Sequence, residues 1–484
     1  MPSAQLAGVV PSPIRDGIQR LRASLHIPDA FSAEVEAEAA RAASAVVLPE
    51  LDRTDLAFVT IDPEGATDLD QALCLERDGD GYVVWYAIAD LASFVTPGGA
   101  VDREAHARGV TLYSPAGRTP LHPPVLSEDA ASLLAGQVRP ALLWEHRLDA
   151  RGERVSSRVR RARVRNREQL SYAGVQASLD AGTAPESLML LREVGRLREA
   201  LEAERGGVSL PIPAQEVEVA GDCWELVLRS ILPVEGWNAQ MSLLTGMAAA
   251  ELMLGAKIGV VRTLPPAPAD GVARLRRIAR GLRISWPASM GYPEFVRSLD
   301  AAHPQHLAML NACTSLFRGA GYAAFDGELP EQPLHGAMNA AYAHCTAPIR
   351  RLADRYAGEI CVAICAGRPV PDWVRAALPA LPATMEGDLR RSNAYERGIV
   401  GLVEALALSG RIGETFRGTV VDWRDSGRGE VQLESPAVTA PLVGGTPALG
   451  AEIDVVLIKA DLTTGEVEFV PEVVAELGID PDGE

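Results

Sequence analysis

The stretch that most constrains this chain runs Phe58-Val59-Thr60-Ile61-Asp62-Pro63-Glu64-Gly65-Ala66-Thr67-Asp68-Leu69-Asp70-Gln71-Ala72-Leu73. An apolar, β-branched run from Phe58 to Ile61 delivers a first aspartate. Pro-Glu-Gly-Ala then suits a turn, and two more aspartates follow. If residues 68–73 are extended, Asp68 and Asp70 point to one face, with Leu69 and Gln71 on the other. A turn between the two limbs brings Asp62 beside that pair. Three carboxylates at close range repel, and a hard divalent cation with oxygen ligands is the usual answer, Mg²⁺ first. Ordinary turn chemistry of aspartates is the alternative that these residues alone leave open. A calcium loop of the EF-hand type is excluded. Counted from Asp68, it needs Asp or Asn at 72 and Gly at 73, where the chain has Ala72 and Leu73.

An ordered series follows. Trp85-Tyr86-Ala87-Ile88-Ala89-Asp90 comes first, then Val101-Asp102-Arg103-Glu104 and Leu112-Tyr113-Ser114-Pro115. His122-Pro123-Pro124-Val125-Leu126-Ser127-Glu128 and, far downstream, Tyr342-Ala343-His344-Cys345-Thr346-Ala347-Pro348-Ile349-Arg350-Arg351-Leu352-Ala353-Asp354 complete it. Taken in order over roughly residues 27–405, these segments resemble the catalytic (RNB) domain of the ribonuclease II and ribonuclease R family of exoribonucleases. The resemblance implies hydrolytic 3′→5′ degradation of RNA to nucleoside 5′-monophosphates with Mg²⁺, Mn²⁺ being the substitute ion. It assigns Asp62, Asp68 and Asp70 to the metal, with Asp70 the most needed for chemistry. The family's fourth aspartate is Gln71 here, which offers a neutral oxygen as ligand. Arg350 matches the arginine that meets the scissile phosphate, and Arg351 joins it as an RNA contact. Glu396 matches a glutamate near the RNA 3′ end, and Tyr113 a tyrosine that stacks on a base, a sequence-blind contact. The alternative is a catalytically silent RNA-binding relative, with Gln71 marking a degraded metal site.

Composition narrows the rest. A net charge of −18 argues against a protein that coats nucleic acid along its whole surface. It leaves room for one local basic channel. Among 46 basic side chains only Lys257 and Lys459 are lysines, so catalysis by an amine has almost no candidates. The six cysteines show neither C-x-x-C nor zinc spacing, which suits reduced thiols. Searches for a P-loop, a G-x-S-x-G elbow and an H-E-x-x-H helix find nothing. With no signal-peptide pattern and no apolar run of about 18 residues, no membrane is expected, and a cytoplasmic monomer is.

The predicted fold is α+β. Residues 1–50 read as a short helical region without the cold-shock barrels that usually open the family's chains, with a helix start at Ser32. Residues 51–408 form the RNB-like domain. It is strand-rich from 55 to 165, with a hairpin at Asp78-Gly79-Asp80-Gly81, and predominantly helical over 166–205 and 236–320. Eight arginines between Arg151 and Arg167 suit either a phosphate-facing or a solvated strand. The proline-rich segment 366–389 should cross the surface before a last helix over 390–408. Residues 411–484 alternate in short strands, as in an S1-like barrel of the oligonucleotide-binding kind. That region carries five basic and fifteen acidic residues, so its RNA contact is expected at Arg411, Arg417, Arg424 and Arg428. Single-stranded RNA is the expected partner, together with structured RNA bearing a 3′ overhang.

Overall fold

The computed structural model describes residues 11–220, 223–423, 428–436 and 438–476. Two helices open it, α1 (Ser12–Ser24) and α2 (Ala33–Ala45). Ser32 caps α2 by accepting the Val35 N–H at 3.3 Å. A closed five-stranded barrel follows, built from β1 (Phe58–Asp62), β2 (Gln71–Asp78) and β3 (Gly81–Ala89). Helix α3 (Ala100–Arg108) and the short hairpin β4 (Leu112–Ser114) with β5 (Gly117–Thr119) come before the barrel resumes. Strands β6 (Val138–Leu148) and β7 (Arg154–Ser171) complete it in the order β1-β2-β3-β6-β7. Every residue of β3 is buried, because the strand is covered on both faces, hence its unbroken apolar run Tyr82-Val83-Val84-Trp85-Tyr86.

The way this barrel closes positions the aspartates. Strand β1 runs parallel to β7 along Phe58–Asp62 but meets β2 antiparallel at Val59↔Leu73. Residues 63–70 therefore leave the sheet at one end of the barrel. Their turn places Gly65 at φ 78°, where the Ala66 N–H returns to the Pro63 carbonyl. Only a residue without Cβ adopts that conformation freely. Asp68 and Asp70 precede β2, which begins at Gln71, and the Ala89 N–H reaches the Asp70 carbonyl just before the strand.

Helices α4 (Tyr172–Asp180), α5 (Glu186–Glu204) and α6 (Pro233–Ala256) pack on one face of the barrel, with the hairpin β8 (Ala214–Ala220) and β9 (Cys223–Arg229) between the last two. Beyond them β10 (Ile258–Thr263) pairs with β11 (Gly321–Asp326), enclosing α7 (Ala269–Gly281), α8 (Tyr292–Arg297) and α9 (Pro304–Cys313). Residues 236–320 are predominantly helical, as expected, with β10 the exception: its four consecutive buried residues pair with residues 323–326 of β11.

The two-residue strands β12 (Leu334–His335) and β13 (Ala340–Ala341) precede α10 (Leu352–Cys365), which is buried through most of its length. Next come α11 (Asp372–Ala377) and the long α12 (Leu381–Ala407). The segment expected to cross the surface as a loop is thus largely helical. Pro382 sits in the first turn of α12, where its missing N–H has no partner to lose.

A second closed barrel follows, from β14 (Thr415–Trp423), β15 (Arg428–Leu433), β16 (Thr439–Val443), β17 (Glu452–Asp461) and β18 (Glu466–Pro471), in the order β14-β15-β16-β18-β17, with α13 (Glu472–Glu476) after it. Strand β16 contains Pro441, which disguises it in the sequence. Helix α1 packs on α12, and α9 packs on β14, so helices bind the second barrel to the rest. Among the described residues no helix is long and apolar enough to cross a membrane.

Candidate active site

The acidic group sits where the first barrel opens, and each aspartate meets a different element. Asp70 is 3% exposed, and its carboxylate accepts the Ile349 N–H at 2.7 Å and the Arg350 Nε–H at 3.0 Å. Burial pushes its carboxyl up to about 7, against the pull of Arg350 and the Ile349 amide. Asp62 ends β1, and its Oδ2 is buried without a hydrogen-bond partner. Burial, with some repulsion from Asp68, pushes it up to about 6 while Arg350 opposes. Asp68 is engaged at both oxygens, by the Tyr113 hydroxyl at 2.6 Å and by Arg118 Nη1 at 2.7 Å.

Tyr113 and Arg118 are cross-strand partners on the β4–β5 hairpin, so one small element reaches Asp68 twice. The Tyr113 side chain is 41% exposed, leaving its ring open to solvent beside the acids. Arg118 also pairs with Glu128 at 2.8 Å and contacts the Thr67 hydroxyl. The sequence reading missed Arg118. Its signal was present in Tyr113-Ser114-Pro115-Ala116-Gly117-Arg118, where a Pro-Ala-Gly turn sets residues 113 and 118 opposite each other.

The two adjacent arginines part company. Arg350 leaves 46% of its side chain exposed and commits only Nε to Asp70, so its two terminal nitrogens have no partner among the described residues. Arg351 turns inward. Its guanidinium forks onto Asp354, whose side chain is fully buried and also accepts the Ala347 N–H at 2.8 Å. The expectation that Arg351 contacts RNA thus meets a guanidinium already spent on holding the turn 347–354 to α10.

Gln71 is likewise engaged at both ends. Its Nε2 donates to the Thr346 carbonyl at 2.6 Å, and its Oε1 accepts the Tyr86 hydroxyl at 3.3 Å. Glu396 lies on α12, where its described partner is the Ser392 hydroxyl and burial raises its carboxyl. The neighbouring Tyr395 is buried where α12 packs on β4, which ties α12 to the hairpin that grips Asp68. His344 is half-buried against the Tyr322 hydroxyl at 2.6 Å, and desolvation pushes its imidazole well down, a packing role.

Among the described residues no three carboxylates, histidines or cysteines converge into a metal cage in this arrangement. Asp68 and Asp70 aim their oxygens at arginines. The donor chemistry nonetheless fits a hard divalent cation. Asp62 Oδ2 is an orphaned buried oxygen, and burial pushes two of the three carboxyls up, a cost that a bound cation would relieve.

At the second barrel two of the four arginines expected to touch RNA are taken up by acids. Arg411 pairs with Glu414 at 2.8 Å and Arg417 with Asp454 at 3.3 Å. Arg424 lies outside the described residues, and Arg428 is exposed at the start of β15.

Fold and site together define a barrel-centred acidic site with a guanidinium beside it and a second, nucleic-acid-type barrel appended. Residues 51–365 match the RNB domain, and residues 414–472 match the RNase II-type exonuclease C-terminal S1 domain. The chain belongs to the RNB family. It is 28% identical over 325 residues to ribonuclease R of Escherichia coli (strain K12), an overlap that covers 63% of this chain and 39% of that protein. The chain therefore spans well under half the length of this curated relative. Among solved structures it resembles Mycoplasma genitalium RNase R in complex with ribose-methylated single-stranded RNA, at TM-score 0.83 and 18% identity, covering 95% of this chain and 78% of the other. It also resembles yeast Ssd1, described as a pseudonuclease, at TM-score 0.66 and 17% identity, covering 89% and 54%. At those identities the two structures bear on the fold alone.

Proposed function

We propose that this chain shortens RNA hydrolytically from its 3′ end, releasing nucleoside 5′-monophosphates. The observation that carries the reading is Arg350. Its Nε is fixed on the buried Asp70, while the rest of the guanidinium faces solvent at the mouth of the barrel. A guanidinium fixed at one nitrogen presents the others to a phosphate at little further loss of freedom. Asp62, Asp68 and Asp70 would hold Mg²⁺ or Mn²⁺. A bound ion of that kind lowers the pKa of its water and offsets charge on the phosphate. Tyr113 supplies an open ring for a terminal base, and every base has a face to stack, so the reading needs no sequence preference. Ribonuclease R, a relative at 28% identity, supports the reading by its name.

The test is product identity. Uniformly labelled single-stranded RNA incubated with Mg²⁺ should yield nucleoside 5′-monophosphates, and removal of the metal by a chelator should stop their release. Internal fragments without mononucleotides would contradict the reading.

One observation favours a second reading, a silent RNA-binding protein: Asp68, Asp70 and Gln71 are all satisfied by protein partners. It predicts RNA retained on the protein and never shortened.

A further inference from the structure

The turn Thr346-Ala347-Pro348-Ile349-Arg350-Arg351 carries the guanidinium that the proposed chemistry needs, and it is fastened at four points. The Gln71 amide donates to the Thr346 carbonyl at 2.6 Å. Asp354 accepts the Ala347 N–H at 2.8 Å, and Asp70 accepts the Ile349 N–H at 2.7 Å. The Thr111 N–H donates to the Arg350 carbonyl at 2.9 Å. Consecutive residues, Asp70 and Gln71, therefore grip one turn three residues apart.

Gln71 is itself held in place. Its Oε1 accepts the Tyr86 hydroxyl at 3.3 Å, and that hydroxyl lies 2.8 Å from Ser242 Oγ on α6. Tyr86 is 1% exposed and Thr346 4%, so this chain of hydrogen bonds runs through the interior. Leaving the Thr346 carbonyl unpaired there would cost its desolvation. Only a side chain with an N–H donor of this length satisfies it. A carboxylate at position 71 would bring a negative oxygen against a carbonyl oxygen, with no proton between them.

We propose that Gln71 is a positioning residue for Arg350 and not a metal ligand: its amide ties β2 to the Thr346 carbonyl and so fixes the turn that presents Arg350 beside Asp70. The sense given to Arg350 rests on the exonuclease reading, but the tether itself does not.

The experiment compares wild type with Gln71→Met, which keeps the length of the side chain and removes its donor and acceptor. Tyr86→Phe, which removes one hydroxyl, serves as a milder companion. Amide hydrogen exchange is followed over residues 345–352, and Mn²⁺ alone is titrated by calorimetry. Exchange in that segment should quicken about tenfold in Gln71→Met, as loss of a hydrogen bond of ordinary net strength would cause, and less in Tyr86→Phe. The Mn²⁺ dissociation constant should stay within about twofold of wild type, including in Gln71→Glu. Weakening of Mn²⁺ by about fivefold in Gln71→Met, or a similar tightening in Gln71→Glu, would make Gln71 a ligand and overturn the proposal. Unchanged exchange would overturn it as well.

Where RNA is turned over, Gln71→Met should lower kcat about tenfold with KM little changed, and the loss should vanish in an Arg350→Ala background. An equal loss in that background would show that Gln71 does not act through Arg350. If wild type shortens no RNA, the exonuclease reading fails, while exchange and metal titration still decide the tether.

Discussion

The chain contains two closed five-stranded barrels that treat charge in opposite ways. In the first, carboxylates are drawn inside. Asp70 is buried, an Asp62 oxygen has no partner, and both carboxyls are pushed upward. In the second, Arg417 with Asp454 and Lys459 with Glu466 form pairs in solvent. Exposed pairs contribute little to stability, whereas buried carboxylates lose much of their hydration and are kept only where something uses them. Each barrel contains one parallel pair, β1 with β7 and β16 with β18. In the first, the segment 63–70 that joins β1 to β2 carries Asp68 and Asp70. A site built on buried charge thus sits in the first barrel, while the second keeps its charges at the surface.

Substitutions should separate the two regions sharply. The largest effect belongs to Asp70→Asn, which removes one charge and keeps the shape. Its rate of RNA shortening should fall about 10³-fold, read from single-turnover time courses. Next comes Arg350→Ala, with kcat down about 10²-fold. Arg351→Ala should do the reverse, destabilising the protein by about 3 kcal/mol in urea melts, because Asp354 would be left buried and unpaired. If the two arginine variants proved alike in both measurements, the inward and outward assignment would be wrong.

Tyr113→Ala should raise KM for single-stranded RNA about tenfold through lost stacking, and Tyr113→Phe should spare most of that affinity.

A pH effect also localises to the first barrel. His146 on β6 is buried between Ser157 and Thr245, and burial pushes its imidazole down to about 3 from 6.5. The unfolded chain thus takes up a proton below 6.5 that the folded one refuses until near 3. The stability tied to this residue is whole above pH 6.5 and drains away as pH falls toward 3. Between pH 7 and 5 that amounts to about 2 kcal/mol, which His146→Gln should largely remove from the pH dependence of thermal melting. The smallest effect is expected for Arg417→Ala in the second barrel, within about 0.5 kcal/mol of wild type, since its partners are exposed.

Much of this was legible in the residues, for physical reasons that also mark where legibility stopped. The hairpin at Asp78–Gly81 and the capped start of α2 are local features, and Tyr82–Ala89 announces a doubly covered strand by having no polar face. The aspartates were visible as a group. Their partners were not, because Ile349, Arg350, Tyr113 and Arg118 reach them across 45 to 280 residues of chain. Arg350 and Arg351 look interchangeable in Pro-Ile-Arg-Arg, and only the position of Asp354 at the start of α10 sends one inward. The family resemblance assigns Gln71 to the metal, and its hydrogen-bond partner 275 residues away is invisible in the sequence. The carbonyl it holds belongs to Thr346. Strand β16 was hidden by Pro441, and the early start of α12 by Pro382, residues that usually break the elements they occupy here.

The most direct measurement is a time course on 5′-labelled single-stranded RNA with Mg²⁺, run for wild type and Asp70→Asn side by side. The labelled strand should shorten progressively from its 3′ end with wild type and stay full length with Asp70→Asn. RNA that both proteins bind and neither shortens would contradict the account and make this chain a binding protein.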